Sequence, residues 1–263
     1  MSAWNLERET AVQAARQAGR VLMDWSGRIT VRTKGLNDLV TEADHASQEV
    51  LSEFLRRRFP SDGFVGEEGQ QRTNASAPRR WIVDPLDGTT NFVHGLPFYC
   101  VSIGLEVNGR LVVGVIYDPV RQECFSAASG GGASCNGVSI QVSATATLSD
   151  SLICGGAPAD PQFHAAANAG FLRISSRARS VRRLGSAALA LAYVAAGRLD
   201  GYWAVSLQPW DSAAGVLIVQ EAGGRVTNFD QSEFDLYTPD LVASNGLIHA
   251  ALASEVDANR ALP

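Results

Sequence analysis

Cysteine is scarce in this chain of 263 residues, and the four present, Cys100, Cys124, Cys135 and Cys154, are widely spaced with no C-x-x-C pair. That pattern argues against a disulfide framework and against a structural zinc site. The four histidines, His45, His94, His164 and His249, show no H-x-x-x-H spacing. Basic charge is not in excess: 22 Lys and Arg stand against 27 Asp and Glu, a formal net charge of −5. No nucleic-acid partner is therefore expected. Long apolar runs are missing too, so no segment is expected to span a bilayer. The amino terminus, MSAWNLERETAVQAARQAGRVLMDW, mixes charge with small apolar residues and has no continuous apolar core. It reads as an amphipathic helix, not a secretory signal, and a reducing cytoplasm is the expected location. Internal repeats and low-complexity tracts are not apparent.

What is present is a globular composition, 46% hydrophobic and 19% charged, at a length sufficient for one large domain or two modest ones. A helix is expected from about Trp4 to Trp25, with Leu6, Ala14, Ala18, Val21, Leu22 and Trp25 near one face. GRITVRTKGLNDLV reads as a loop. The next segment opens with Thr41 and Asp44 in a capping-box arrangement and sets Val50, Leu51, Phe54 and Leu55 at helical spacing. Arg56, Arg57 and Arg58 then read as its solvated end. Past Phe92 the pattern turns to strands, with a hairpin turning at Asn108-Gly109 and a strand in QECFSAAS that ends in the glycine-rich turn GGGASCNG. Small polar residues around Ser143–Ser149 suggest a boundary between an N-terminal unit, 1–147, and a C-terminal unit, 148–263. Beyond it SLICGG and DGYWAVS read as strands. Helices are expected in FHAAANAGF, in RLGSAALALAYVAAG, and from Asp211 to Gly223. Mixed helices and hairpins point to layers of helices and sheets and away from a purely parallel fold.

Chemistry concentrates in WIVDPLDGTTNF, Trp81 to Phe92. An apolar strand-like run ends in Asp84, Asp87 follows three residues on, and Gly88, Thr89 and Thr90 come next. Asp-Pro and Asp-Gly are common turn pairs, so a solvated turn is one reading. A site for a hard divalent cation is the other, since such ions take carboxylate and carbonyl oxygens. Glu67 in GEE and Asp211 in PWDSAAG sit at similar junctions, where the alternatives are a loop charge and a helix cap.

These three segments, in this order and at these separations, closely resemble the inositol monophosphatase family of Mg²⁺-dependent phosphatases. KGLNDLVTEAD, NGVSIQVS and RRLGSAALALAYVAAGRLDGYW are similar to further family segments, so the resemblance runs over nearly the whole chain. It implies a layered αβαβα fold of mixed α+β class, with the site in a cleft between the two halves. It further implies two or three Mg²⁺ ions, a homodimer and sensitivity to lithium. Residue by residue, Glu67, Asp84 and the Leu86 carbonyl would hold a first ion. Asp84, Asp87 and Asp211 would hold a second, and Glu67 would also contact a third. Thr89 with Glu67 would activate a water, with Asp44 bonded to Thr89. The N–H groups of Gly88 and Thr89, at the start of a short helix or turn, could grip a phosphate. The remaining substrate wall implied by the resemblance comprises Asp87, Gly185, Ser186, Ala187, Ala204 and Asp211.

At Ala204 this chain departs from the family, which typically has a glutamate there that binds inositol hydroxyls. Gly155 and Gly156 also lack an expected serine. The departures weaken the case for inositol 1-phosphate as substrate or mark a relaxed pocket, and Arg182 and Arg183 could meet a second phosphate or a partner subunit. The resemblance therefore implies a phosphomonoesterase acting on a small polyol phosphate. Inositol 1-phosphate heads the expectation, with histidinol phosphate and sugar or nucleotide bisphosphates as alternatives. A regulatory role beside a transcription partner is the non-enzymatic alternative.

Overall fold

Alanines at helical spacing build the first helix, α1 (Asn5–Trp25), which buries Ala11, Ala14, Ala15, Ala18 and Leu22. In the computed structural model of the chain, residues 2–28, 31–35, 38–68, 72–74, 77–156 and 160–256 are described, the side chains of residues 31–35, 38–39, 72–73 and of Ala166 excepted. Leu36 and Asn37 of the family-like segment KGLNDLVTEAD, and residues 69–71 and 75–76 of the polar stretch after GEE, lie outside the described residues. After α1 come β1 (Val31–Gly35), β2 (Asp38–Thr41), α2 (Glu42–Arg58), β3 (Gly63–Gly66), β4 (Arg72–Thr73), β5 (Arg79–Asp87) and α3 (Thr89–Val93). A meander follows: β6 (Cys100–Val107), β7 (Arg110–Asp118), β8 (Glu123–Ala128), β9 (Ala133–Cys135) and β10 (Val138–Ser139). The rest is β11 (Leu152–Gly155), α4 (His164–Ser175), β12 (Ser180–Arg182), α5 (Ala187–Ala195), β13 (Gly201–Ala204), α6 (Pro209–Glu221), β14 (Arg225–Thr227), β15 (Leu241–Ser244) and α7 (His249–Val256).

Two sheets organise these elements. The first has eight strands in the order β10-β9-β8-β7-β6-β5-β3-β4, antiparallel except for the β3–β5 pair. The second has five, β12-β11-β13-β15-β14, with β11 parallel to both its neighbours. Alternation along each strand sends side chains into different cores. In β13, Tyr202 and Ala204 face one core and Trp203 another; in β15, Leu241 and Ala243 part from Val242 in the same way. Three cores result. One lies between the first sheet and the α1–α2 pair, one between the sheets around α5 and α6, and one between the second sheet and α4 with α7. The order α1α2, sheet, α5α6, sheet, α4α7 is the αβαβα sandwich expected from the sequence. Fully buried Leu22, Leu51, Leu55 and Trp81 pin the outermost pair, and each leucine is worth roughly 1.5–3 kcal/mol.

Helix α6 is apolar on nearly every side because it lies between two sheets. It approaches the first sheet over glycines: a Cβ on Gly114 would stand 2.4 Å from the Ala214 carbonyl oxygen. That close seat brings the amino end of α6, and Asp211 with it, to the site end of β6, where Ser102 Oγ donates to the Trp210 carbonyl at 3.3 Å.

Several expectations need correction. GRITVRTKGLNDLV is not simply a loop, since it contains the antiparallel ribbon β1–β2. GGGASCNG holds β9 and a second hairpin turn, with Asn136 at φ 50° and Gly137 at φ 81°, the same left-handed pair found at Asn108-Gly109. Leu6 does not join the buried face of α1, being 50% exposed in its first turn. Helix α6 starts at Pro209, not Asp211, because proline fits the first helical turn, where its missing N–H has no partner to lose. No helix among the described residues is long and apolar enough to cross a membrane.

Candidate metal and phosphate site

Strand β5 does not end at Asp84. It pairs with β6 on both sides of a bulge, Asp84 opposite Ser102 and Asp87 opposite Cys100, so Pro85 and Leu86 face the single residue Val101. Proline has no N–H to give the ladder, and a bulge accommodates that loss. The bulge is braced twice: Leu86 N donates to Asp84 Oδ1 at 2.9 Å, and Ser47 Oγ of α2 donates to the Pro85 carbonyl at 2.8 Å. Asp84 and Asp87 thus bracket a fixed kink.

Glu67 follows directly on β3, the parallel neighbour of β5, and its N–H donates to the Val83 carbonyl at 3.2 Å. Gln48 of α2 clamps the next residue, donating to the Glu68 carbonyl and accepting from the Glu68 amide at 2.8 Å. Asp211 is the third residue of α6, and its carboxylate accepts the Gln208 amide at 2.8 Å. The four acids stand in one another's field. Burial, then the charges of Glu67, Asp87 and Asp211, push the Asp84 carboxyl well above the usual carboxylate range. Burial also raises Asp87, opposed by hydrogen bonds from Ser186 and the amides of Ala188 and Ala187. Among the described residues, no three His, Cys, Asp or Glu side chains already stand at the spacing of a finished metal shell. Instead, Asp84, Asp87 and Asp211 are each held by a backbone amide of their surroundings. Hard oxygens crowded in this way, those of Asp84 and Asp87 buried, suit a hard divalent cation, which would reverse the repulsion.

Thr89 opens α3 directly after Gly88, whose φ of 102° is in the left-handed region. A Cβ at Gly88 would meet the Phe98 carbonyl oxygen at 3.0 Å, so the backbone passes close there. Thr89 Oγ1 lies 3.2 Å from Asp44 Oδ1 and 3.1 Å from the Leu86 carbonyl oxygen. Asp44 is fully buried in the capping box expected of it: its Oδ2 accepts the Thr41 hydroxyl at 2.6 Å and the Thr41 amide at 2.8 Å. Burial raises its pKa in spite of those bonds.

The remaining predicted residues lie on the other side. Asn91 Nδ2 donates to the carbonyls of Phe98 and Leu184, each at 2.7 Å, and seats Gly185 against its amide. Ser186 caps α5, but its hydroxyl and the Ala187 amide are directed at Asp87. Ala204 is buried beside Gly156, where a Cβ would stand 2.6 Å from that of Ala204. Arg183 turns to α4, donating to Asn168 Oδ1 at 2.9 Å with its guanidinium 4.6 Å from the Phe171 ring centre. Arg182 bonds to its own strand, at Ser180 and the Val181 carbonyl. Sequence reasoning did not single out Ser47, Gln48 or Asn91. Only Asn91, inside DGTTNF, carried a signal that could have found it.

The sequence model of the inositol monophosphatase family matches residues 5–261. The chain belongs to this family. It is 44% identical over 253 residues to the inositol-1-monophosphatase of Synechocystis, covering 95% of this chain and 88% of that protein. It is also 37% identical to the Nus factor SuhB of Escherichia coli K12, over 94% of each. Among solved structures, the extragenic suppressor protein suhB of Bartonella henselae superposes with a TM-score of 0.91 at 40% identity, covering 96% of this chain and 98% of that one.

Proposed function

We propose that this chain is a Mg²⁺-dependent phosphomonoesterase that hydrolyses a small polyol phosphate, with inositol 1-phosphate as the first substrate to test. The observation that carries the reading is the set of four acids from three separate segments, the buried Asp84 and Asp87 with the half-buried Glu67 and Asp211, whose charges act on one another beside Thr89. Glu67, Asp84, the Leu86 carbonyl, Asp87 and Asp211 would hold the cations. Bound Mg²⁺ supplies positive charge to a phosphoryl group and acidity to a nearby water. The amides of Gly88 and Thr89, at the start of α3, receive phosphate oxygens. Thr89 Oγ1 takes up a proton from the attacking water, aided by Glu67. Asp44 is the next acceptor, and burial makes it a stronger base than an exposed aspartate. Phosphoryl transfer asks for little covalent help, so positioning by these groups accounts for most of the catalysis. The same reading carries a homodimer and inhibition by lithium.

Ala204 keeps the alcohol side of the pocket without a carboxylate, so binding there rests on shape more than on hydroxyl recognition. The test is phosphate release with Mg²⁺ from inositol 1-phosphate, histidinol phosphate, fructose 1,6-bisphosphate, a 3′,5′-nucleotide bisphosphate and glycerol 2-phosphate. Full turnover in thoroughly chelated solution would refute the metal-dependent mechanism. A clear preference for a phosphate other than that of inositol would redirect the substrate assignment alone.

A further inference from the structure

The Asp87 carboxylate is bonded across the sandwich, from the end of β5 to the start of α5. Its Oδ2 accepts the Ser186 hydroxyl and the Ala188 amide, both at 2.6 Å, while its Oδ1 accepts the Ala187 amide at the longer distance of 3.2 Å. Ser186 is buried, and its Oγ accepts the Leu189 amide at 3.3 Å as the cap of α5. That bond fixes the hydroxyl's lone pair, so its hydrogen is left to aim at Asp87. The Cys100 thiol closes the far side, 3.8 Å from Asp87 Oδ2 and 3.7 Å from Ser186 Oγ. The Asn91 bond to the Leu184 carbonyl anchors the backbone leading into α5, so the donors cannot swing away independently. A carboxylate offers about four acceptor sites, and the two shortest bonds here, from the Ser186 hydroxyl and the Ala188 amide, both fall on Oδ2.

We propose that Ser186 is a positioning residue for the cation site: together with the α5 amides it turns Asp87 so that Oδ1 is the oxygen left to bind a cation. The inference rests on the cation reading above and goes beyond it, because it places control of a ligand of the first sheet in a helix packed against the second. Cation binding and the seating of α5 against β5 are then linked. Loss of a partner that orients a metal ligand typically weakens metal binding by about 10- to 100-fold.

The experiment is calorimetric titration of Mg²⁺ alone into the chelator-stripped full chain, as wild type, Ser186→Gly and Ser186→Thr. Glycine deletes the hydroxyl but remains an adequate helix cap, so the variant is expected to fold. Threonine keeps the hydroxyl on the extended backbone observed at position 186. The expected result is Mg²⁺ affinity lowered about 10- to 100-fold in Ser186→Gly and restored close to wild type in Ser186→Thr. Unchanged affinity in Ser186→Gly overturns the inference and leaves the phosphatase reading standing, as does a threonine variant as weak as the glycine one. Absence of Mg²⁺ binding by the wild type overturns the cation reading itself, and this inference with it.

Discussion

Asp84 is buried, and burial together with the charges of Glu67, Asp87 and Asp211 holds its carboxyl well above the usual range. A carboxyl whose pKa is higher in the fold than in the unfolded chain contributes its full stability only below the unfolded value. That contribution is lost as pH rises through the folded value. Ionising Asp84 in the metal-stripped fold therefore costs stability, and Asp84→Asn removes that cost at constant shape. The asparagine oxygen can still accept the Leu86 amide, now 2.9 Å from Asp84 Oδ1, so the bulge is kept. Relief of strain at a functional site is worth roughly 0.5–2 kcal/mol. In a chain of this size that raises the melting temperature by about 1–8 °C. The same change removes a central cation ligand, and phosphate release in Mg²⁺ should fall by more than the roughly hundredfold that loss of an outer partner can cause. The assay is thermal melting in chelator at neutral and mildly acidic pH, then in Mg²⁺, beside turnover of inositol 1-phosphate. Mg²⁺ should raise the wild-type melting point by mass action and move the variant little. A variant that melts below wild type in chelator at neutral pH, or that keeps its rate, would refute the reasoning.

Thr89→Val preserves shape but removes the hydroxyl between Asp44 and the Leu86 carbonyl, so kcat should fall by about 10²–10⁴ while KM barely changes in steady-state assays. Ala204→Glu should raise the turnover of inositol 1-phosphate relative to an aryl phosphate, and an unchanged ratio would mean the ring sits elsewhere. Gly156→Ala should destabilise the chain by about 1–3 kcal/mol in denaturant titration, because its Cβ would stand 2.6 Å from that of Ala204. His249, fully buried between Thr227 Oγ1 at 2.9 Å and Ser244 Oγ at 3.0 Å, has its pKa lowered to about 4, chiefly by burial. Its neutral form stabilises the fold above the unfolded value of 6.5, and that contribution, up to about 3 kcal/mol, is lost as pH falls towards 4. His249→Asn should be less stable at alkaline pH and should lack that part of the acid slope in denaturation curves.

How far the sequence could be read depended on the range of the interaction behind each signal. The Thr41–Asp44 box and the Asn108-Gly109 turn are settled within a few residues, and both form where expected. The β1–β2 ribbon was hidden because its residues alternate weakly and its pairing lies next to a polar stretch. The end of β5 was misjudged because Pro85 reads as a strand breaker, whereas pairing with β6 resumes at Asp87 and turns the break into a bulge. The family motifs marked the acids, but no local pattern could show that Ser186, 99 residues away, would donate to Asp87, or that Gln48 would clamp Glu68. Those bonds exist only once α5 is seated between the sheets and α2 lies over β3.

The bland reading and the chemical reading of each acid turn out to be compatible. Asp211 accepts the Gln208 amide as a helix-start residue should, Asp84 closes the turn onto Leu86, and Asp44 closes a capping box while touching Thr89. Each of these bonds uses one oxygen of a carboxylate to fix the group to its own backbone, which limits rotation before any cation arrives. On the cation reading, the ligands are oriented in advance by the local structure they also stabilise, and what remains is for them to close to coordination distance. The cost is the mutual repulsion seen at Asp84, and a divalent cation would offset it. Stability of the stripped chain and affinity for the cation should therefore move in opposite directions when Asp84 is neutralised. A collection of acids serving only as turns and caps would lose stability on the same change, without gaining any.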